Sequence, residues 1–204
     1  MSNSSKNKNH TFADLFGLGD IPGYLTPDDM LAISEITKKL PDTGMFVEVG
    51  TFLGKSAVEW ARNFQEQNKN YRILCIDTFH SPIDILHELM TEAEFSIPPG
   101  KTQLELFKHY TKEYSNIIPL KGNVDRNFYF EKQIAGVFED SEHTQAALTY
   151  TLPFWWERIQ SGGILSGHDY SMQEVQTSVD LFAIFNELEV KVYPNSSVWY
   201  IEKP

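Results

Sequence analysis

Short apolar runs alternate along the chain with segments whose apolar residues recur every three or four positions. The apolar runs predict strands at 45–49, 73–76, 117–120, 135–138 and 164–167. The three-to-four spacing, together with capping and breaking residues, predicts helices at 27–39, 55–65, 102–114, 124–131, 144–160 and 174–186. This βαβα alternation indicates a mainly parallel sheet covered by helices on both faces.

The predicted elements also have recognisable ends. Thr26-Pro27 supplies a capping hydroxyl and a proline for the first helix. Gly162-Gly163 is expected to end the 144–160 helix in a left-handed cap and to release the fifth strand. The last two strand-like runs flank Pro194-Asn195-Ser196-Ser197 and predict an antiparallel hairpin. Residues 78–101 show looser patterning with prolines, and we expect a lid or substrate segment there.

Composition narrows the possible class and partners of the protein. The 204 residues suit one domain, which we expect to span residues 21–204, with residues 1–20 disordered because they are polar. The net charge of −11 disfavours a nucleic-acid partner. No signal peptide or membrane span is visible, so we expect a cytoplasmic protein without a membrane partner. The single cysteine, Cys75, lies in an apolar run and is expected to pack in the core.

The segment 46–56 carries the strongest chemical signal, because an apolar strand runs into Glu48, then Gly50 and Gly54, then a helix. The dinucleotide-binding pattern G-x-G-x-x-G needs three glycines, whereas this segment has only Gly50 and Gly54. The phosphate loop G-x-x-x-x-G-K-[ST] matches Gly54-Lys55-Ser56, but Gly50 stands one residue too near. The pattern E-x-G-x-x-x-G-x-S fits without gaps.

Two further segments, 137–144 (VFEDSEHT) and 162–170 (GGILSGHDY), follow in order. With the first pattern they make the chain resemble the class I S-adenosylmethionine-dependent methyltransferases, in particular the small O-methyltransferase-like branch. The resemblance covers residues 20–204. It implies a Rossmann-like α/β fold: a doubly wound, mainly parallel seven-stranded sheet that ends in an antiparallel hairpin.

The resemblance also implies the position of the cofactor. Glu48 and the Gly50 turn are expected near the methionine half of S-adenosylmethionine, with Ser56 at its carboxylate. Asp77 ends the second strand and is expected to accept the ribose hydroxyls, since a carboxylate can take both protons. The residues predicted to bind the cofactor are Glu48, Gly50, Thr51, Gly54, Ser56, Asp77, Thr78, Asn123 and Asp140.

Methyl transfer to a hydroxyl needs alignment and a way to remove the proton. Four side chains at the ends of strands four and five are the predicted catalytic residues: Asp140, His143, His168 and Asp169. Asp140, Asp169 and His168 could hold a divalent metal such as Mg²⁺. Alternatively His143 acts as a metal-free general base near neutral pH. In metal-dependent small O-methyltransferases an asparagine follows the second acid, whereas Tyr170 follows Asp169 here.

The sequence therefore predicts S-adenosylmethionine-dependent methyl transfer to a small-molecule acceptor, through a hydroxyl oxygen. Two alternatives stay open. One is an NTP-binding protein that uses Gly54-Lys55-Ser56 as its phosphate loop. The other is a module that binds S-adenosylmethionine without transferring the methyl group, or that serves another reaction.

Overall fold

The computed structural model describes residues 20–81 and 101–204. The predicted disordered segment, except its last residue, and residues 82–100 of the predicted lid lie outside the described residues. The described elements, in chain order, are α1 (Pro27–Lys39), β1 (Thr43–Val49), α2 (Lys55–Glu66), β2 (Asn70–Asp77), α3 (Gln103–Thr111), β3 (Ile117–Lys121), β4 (Ile134–Glu139), α4 (Gln145–Arg158), β5 (Ile159–Gly167), α5 (Gln173–Phe185), β6 (Lys191–Val192) and β7 (Trp199–Glu202).

The strands form one seven-stranded sheet in the order β3-β2-β1-β4-β5-β7-β6. The first five strands in chain order run parallel, and β7 pairs antiparallel with both β5 and β6. The predicted doubly wound sheet with a terminal antiparallel hairpin is confirmed. In the described part of the chain, no helix is long and apolar enough to cross a membrane.

Alternating side chains on the strands build two cores, one on each face of the sheet. Phe46 belongs to a core with Trp60 of α2 and Ile33 of α1, whereas its neighbour Val47 belongs to a core with Trp155 of α4 and Val179 of α5. All six side chains are almost completely buried. Helices therefore cover both faces, as the near-continuous apolar strands predicted.

Thr26 caps α1 as predicted. Its hydroxyl accepts a hydrogen bond from the backbone N–H of Asp29, and the Asp29 carboxylate accepts one from the N–H of Thr26. This reciprocal capping box fixes where the helix begins.

The predicted left-handed cap at Gly162-Gly163 is wrong. Helix α4 ends at Arg158, its C-cap Ile159 is extended, and β5 begins there. The Lys203 ammonium donates to the carbonyls of Trp156 and Ile159 at 2.5 and 2.6 Å, so the last turn needs no glycine cap. Gly162 does adopt a left-handed φ of 76°, but within β5.

The predicted helix at 124–131 is also absent. Asp125 instead forms a tight turn, in which its carboxylate accepts from the N–H of Asn127 at 2.8 Å and its carbonyl from the N–H of Phe128 at 2.9 Å. An aspartate side chain that bonds the backbone two residues ahead competes with helix formation. The apolar residues in this segment pack instead against α4, where Phe128 and Phe130 contact Trp155.

Candidate functional site

The turn after β1 is shaped by a close approach of two backbones. Gly50 has φ 84°, and a Cβ there would stand 2.0 Å from the carbonyl oxygen of Asp140. The Asp140 N–H in turn donates to the carbonyl of Val49 at 2.8 Å, and the Gly50 N–H donates to Ile76 O at 2.8 Å. The ends of β1, β2 and β4 therefore meet at this glycine, and only glycine fits it.

Glu48 lies beneath this turn, completely buried. Its Oε2 accepts from the Thr51 hydroxyl at 2.7 Å and from the Cys75 thiol at 3.4 Å. Burial raises the pKa of Glu48 to about 7, and hydrogen bonds from Ser56 and Thr51 limit that rise. The predicted methionine-facing acid thus stands behind the cavity wall and supports the turn from inside.

Asp77 ends β2 and holds two backbone segments. Its Oδ2 accepts from the N–H of Phe52 at 2.9 Å, and its Oδ1 from the N–H of Phe79 at 2.6 Å. The amide of Gln103 on α3 lies 3.5 Å from the same Oδ1. The carboxylate is therefore oriented by the main chain.

Two adjoining cavities open at the carboxyl edge of the sheet. The Asp77 cavity, about 290 Å³, is lined by Asp77, Thr78, Gly122 and Asn123 among others. The His143 cavity, about 240 Å³, is lined by the following residues: Pro22, Gly23, Tyr24, Leu25, Gly50, Thr51, Phe52, Leu53, Lys55, Ser56, Asp140, His143, His168 and Asp169. Gly50, Phe52 and Asp140 line both. Of the predicted cofactor residues, Glu48 and Gly54 line neither.

The four predicted catalytic side chains do come together. His143 Nε2 lies 3.0 Å from Asp169 Oδ2 and 3.8 Å from Asp140 Oδ1. His168 Nδ1 lies 3.3 Å from Asp169 Oδ1 and 3.9 Å from Asp140 Oδ1. Asp169 adopts a left-handed φ of 57°. The chain therefore leaves the direction of β5 at this residue, and the Asp169 carboxylate lies between the two imidazoles.

The charges in this cluster are strongly coupled. Hydrogen bonds to Asp140 and Asp169 raise the pKa of His143 to about 10. Burial opposes protonation of His168, but Asp169 and Asp29 outweigh it and raise its pKa to about 11. Both shifts favour the imidazolium form, which weighs against His143 as a neutral base; that role stays a prediction. Burial raises the pKa of Asp140, whereas the two imidazoles lower that of Asp169.

Asp29 is a member of the cluster that sequence reasoning missed. It is 1% exposed and lies 3.2 Å from His168 Nε2 through its Oδ2. Its Oδ1 accepts from the Ser196 hydroxyl, 167 residues away, at 2.6 Å, and Ser197 Oγ lies 2.9 Å from the same His168 nitrogen. In the sequence Asp29 is explained completely by its place in a helix cap, so no local signal pointed to His168.

The predicted metal site was tested against this geometry. Asp140, His143 and Asp169 offer ligand atoms within 4.8 Å of one another, whereas the predicted ligand His168 is not in that set. An imidazole must lose a proton before it can coordinate a metal, so the carboxylates that favour protonated His143 compete with a metal ion for that ring. Tyr170, which stands where metal-dependent relatives have an asparagine, donates its hydroxyl to Asp180 at 2.6 Å. A divalent metal at this site stays a prediction, with His143 in the place of His168.

The alternative phosphate loop is likewise not formed. A Cβ at Gly54 would stand 2.6 Å from Thr111 Cγ2, so α3 packs directly on this glycine. The Lys55 ammonium donates to the carbonyl of Gly23 at 2.7 Å. The loop therefore packs against protein where a nucleotide-binding loop would surround phosphates.

Comparisons with known proteins identify the family of the domain. A family model described as a methyltransferase domain matches residues 47–170. No curated protein matches the chain in sequence.

Solved structures share the fold at low sequence identity. The apo structure of CalS11, a TDP-rhamnose 3'-O-methyltransferase of calicheamicin biosynthesis, has a TM-score of 0.60 at 15% identity, over 88% of this chain and 82% of that one. An rRNA methylase from Streptococcus thermophilus has a TM-score of 0.57 at 11% identity, over 89% and 99%. SMU.1697c, a putative methyltransferase from Streptococcus mutans in complex with SAH, has a TM-score of 0.57 at 11% identity, over 88% and 99%.

Proposed function

Since this chain belongs to the family of methyltransferase domains, we propose that it moves the methyl group of S-adenosylmethionine to a hydroxyl oxygen of a small molecule. The observation that carries this proposal is the meeting of two cavities at Asp140, one lined by Asp77 and Asn123 and the other by His143 and Asp169. A donor that extends from the Asp77 cavity into the His143 cavity would pass this carboxylate, and an acceptor hydroxyl beside His143 would lie next to it.

The adenosine half of the cofactor fits the Asp77 cavity. A carboxylate can accept hydrogen bonds from both ribose hydroxyls, and Asp77 is already held in place by the N–H groups of Phe52 and Phe79. Thr78 and Asn123 line the same cavity and are exposed, so they are available to the adenine. The methionine half then passes Gly50, where the absence of a Cβ leaves room, and ends near Thr51 and Ser56.

The His143 cavity suits an acceptor hydroxyl. In the transfer, an oxygen lone pair forms the new bond to the methyl carbon, the carbon–sulfur bond breaks, and its electrons stay on sulfur as the thioether. The hydroxyl proton passes to Asp140, whose pKa burial raises and which can therefore hold a proton more readily than an exposed acid. The His143 imidazolium then stabilises the negative charge that develops on the acceptor oxygen.

A small-molecule acceptor is favoured over RNA by charge. The chain carries 28 acidic and 17 basic residues, which gives a net charge of −11. A polyanionic acceptor would be repelled by such a surface. CalS11 is a TDP-rhamnose methyltransferase by name, so the fold accommodates a small sugar-bearing acceptor in at least that protein.

Titration calorimetry with S-adenosylmethionine and S-adenosylhomocysteine tests the cofactor. We expect micromolar binding of both, and no binding at high micromolar concentration would refute the proposal. A panel of phenols and sugar nucleotides, followed by mass spectrometry of the products, tests the transfer. Asp140→Asn should abolish product while leaving the fold intact. Cofactor binding without product from any hydroxylated acceptor would favour the non-catalytic alternative.

A further inference from the structure

Lys55 is a buried lysine in the first turn of α2 that the proposed chemistry does not yet use. It is 9% exposed, and its ammonium donates to the carbonyl of Gly23 at 2.7 Å. Lys55 and Gly23 both line the His143 cavity, next to Ser56. A buried ammonium costs several kcal/mol in desolvation and is uncommon without a functional or structural reason.

The charge around Lys55 makes it distinctive. Among the described residues that line the two cavities, it is the only lysine or arginine. The other charged side chains lining them are acids and the two imidazoles, gathered at the ends of β2, β4 and β5. There His143 and His168 lie 3.0 and 3.3 Å from the Asp169 carboxylate. The His143 cavity therefore has one side of paired carboxylates and imidazoles, and a lysine on the other side at the start of α2.

This polarity matches the methionine half of the cofactor, which ends in both an ammonium and a carboxylate. We propose that the Lys55 ammonium binds the carboxylate of the cofactor, so that the protein prefers a cofactor with an intact amino-acid tail. This inference rests on the proposed function. The cofactor ammonium then points away from Lys55, because like charges repel. Burial lowers the pKa of Lys55 to about 8, and a bound carboxylate would raise that pKa again.

Lys55 has a structural task as well, which the test must separate from recognition. Its side chain packs against Gly23, where a Cβ would stand 3.1 Å from Lys55 Cβ and Cδ. Loss of the lysine would loosen residues 22–25, which wall the cavity. A purely structural loss weakens every ligand of the cavity alike, whereas loss of a carboxylate partner weakens only ligands that carry the carboxylate.

Decarboxylated S-adenosylmethionine is the probe that isolates this contact, because it keeps the sulfonium and the ammonium. We expect the wild-type protein to bind S-adenosylmethionine about 10- to 100-fold more tightly than the decarboxylated form, as for a hydrogen bond to a charged group. In Lys55→Met most of this ratio should be lost, and what remains would come from Ser56. Lys55→Gln, which keeps a donor for Gly23, should also lose most of the ratio if Lys55→Met does not fold.

Lys69 offers a matched control. Its side chain is 8% exposed and its ammonium donates to the carbonyl of Leu40, away from both cavities. Lys69→Met should lower stability without changing the affinity ratio. An unchanged ratio in both Lys55 variants, or a wild-type protein that binds the two ligands equally, would overturn the inference. A wild-type protein that binds neither ligand would instead refute the proposed function.

Discussion

Replacing Gly50 by alanine tests the close approach that joins the two cavities. The new Cβ would lie 2.0 Å from the carbonyl oxygen of Asp140 and 2.6 Å from Ser141 Cα. Neither atom can move freely, because the Asp140 N–H is bonded to Val49 O and β4 is paired on both sides. The alanine must also keep a φ of 84°, which favours glycine.

These two costs can be estimated separately. A left-handed backbone costs an alanine about 1–2 kcal/mol relative to glycine, and overpacking that moves backbone costs about 1–3 kcal/mol more. Gly50→Ala should therefore lose about 2–5 kcal/mol in the free energy of unfolding. For a protein of this size this lowers the melting temperature by about 10 °C. Affinity for S-adenosylhomocysteine should fall as well, because Gly50 lines both cavities.

Gly162→Ala is the matched control, since Gly162 has φ 76° but nothing within 4 Å of its Cβ position. It should show only the backbone cost, about 1–2 kcal/mol, and normal cofactor binding. Urea unfolding measures the free energies and calorimetry measures the affinity. Equal destabilisation by the two substitutions, with full cofactor binding in both, would show that the contact between Gly50 and Asp140 does not shape the site.

Three further predictions follow from single residues. Asp77→Asn should weaken binding of S-adenosylhomocysteine by about 10- to 100-fold, and undiminished affinity in calorimetry would refute the ribose assignment. Burial raises the pKa of Glu48 from 4.5 to about 7 in the folded protein, so the free energy of unfolding should fall as the pH rises from 4.5 through 7. In urea unfolding, Glu48→Gln should remove this pH dependence and be more stable than the wild type by roughly 3 kcal/mol above pH 7. If the wild type and the variant show parallel pH profiles, burial does not raise this pKa. Because two imidazoles already neutralise Asp169, methyl transfer should continue at an unchanged rate in EDTA, and a loss restored by Mg²⁺ would contradict a metal-free site.

Periodicity was enough to predict the sheet. The central strands β1, β2, β4 and β5 contain the predicted runs because apolar residues on both of their faces are buried. The edge strand β3 carries an apolar run as well, although Ile118 and Leu120 in it are exposed. The predicted helix at 124–131 and the predicted cap at Gly162-Gly163 were wrong because side-chain hydrogen bonds to the backbone, which periodicity does not show, decide both segments. The segment at 124–131 has helical spacing, but the Asp125 side chain bonds its own backbone. The carbonyls at the end of α4 are bonded by Lys203, a residue 44 positions further along the chain than Ile159.

The residues of the candidate site also fall into those that the sequence predicted and one that it did not. Asp77, Asp140, His143, His168 and Asp169 could be found because parallel strands bring their carboxyl ends to one edge. The participation of Asp29 could not, because an acid in a capping box already has a sufficient local explanation. Its contact with His168 exists only because the start of α1 packs against the end of β5, where the β6–β7 turn also bonds Asp29.

The sequence by itself determined the succession of strands along the chain and the glycine turn, since these depend on local spacing. It also determined which types of side chain lie at the sheet edge, because parallel strands bring their carboxyl ends together. The tertiary structure decided the charges. Whether an imidazole is a base or a cation depends on which carboxylates lie within a few ångströms of it and on how little water reaches them, and only the packed chain sets those distances.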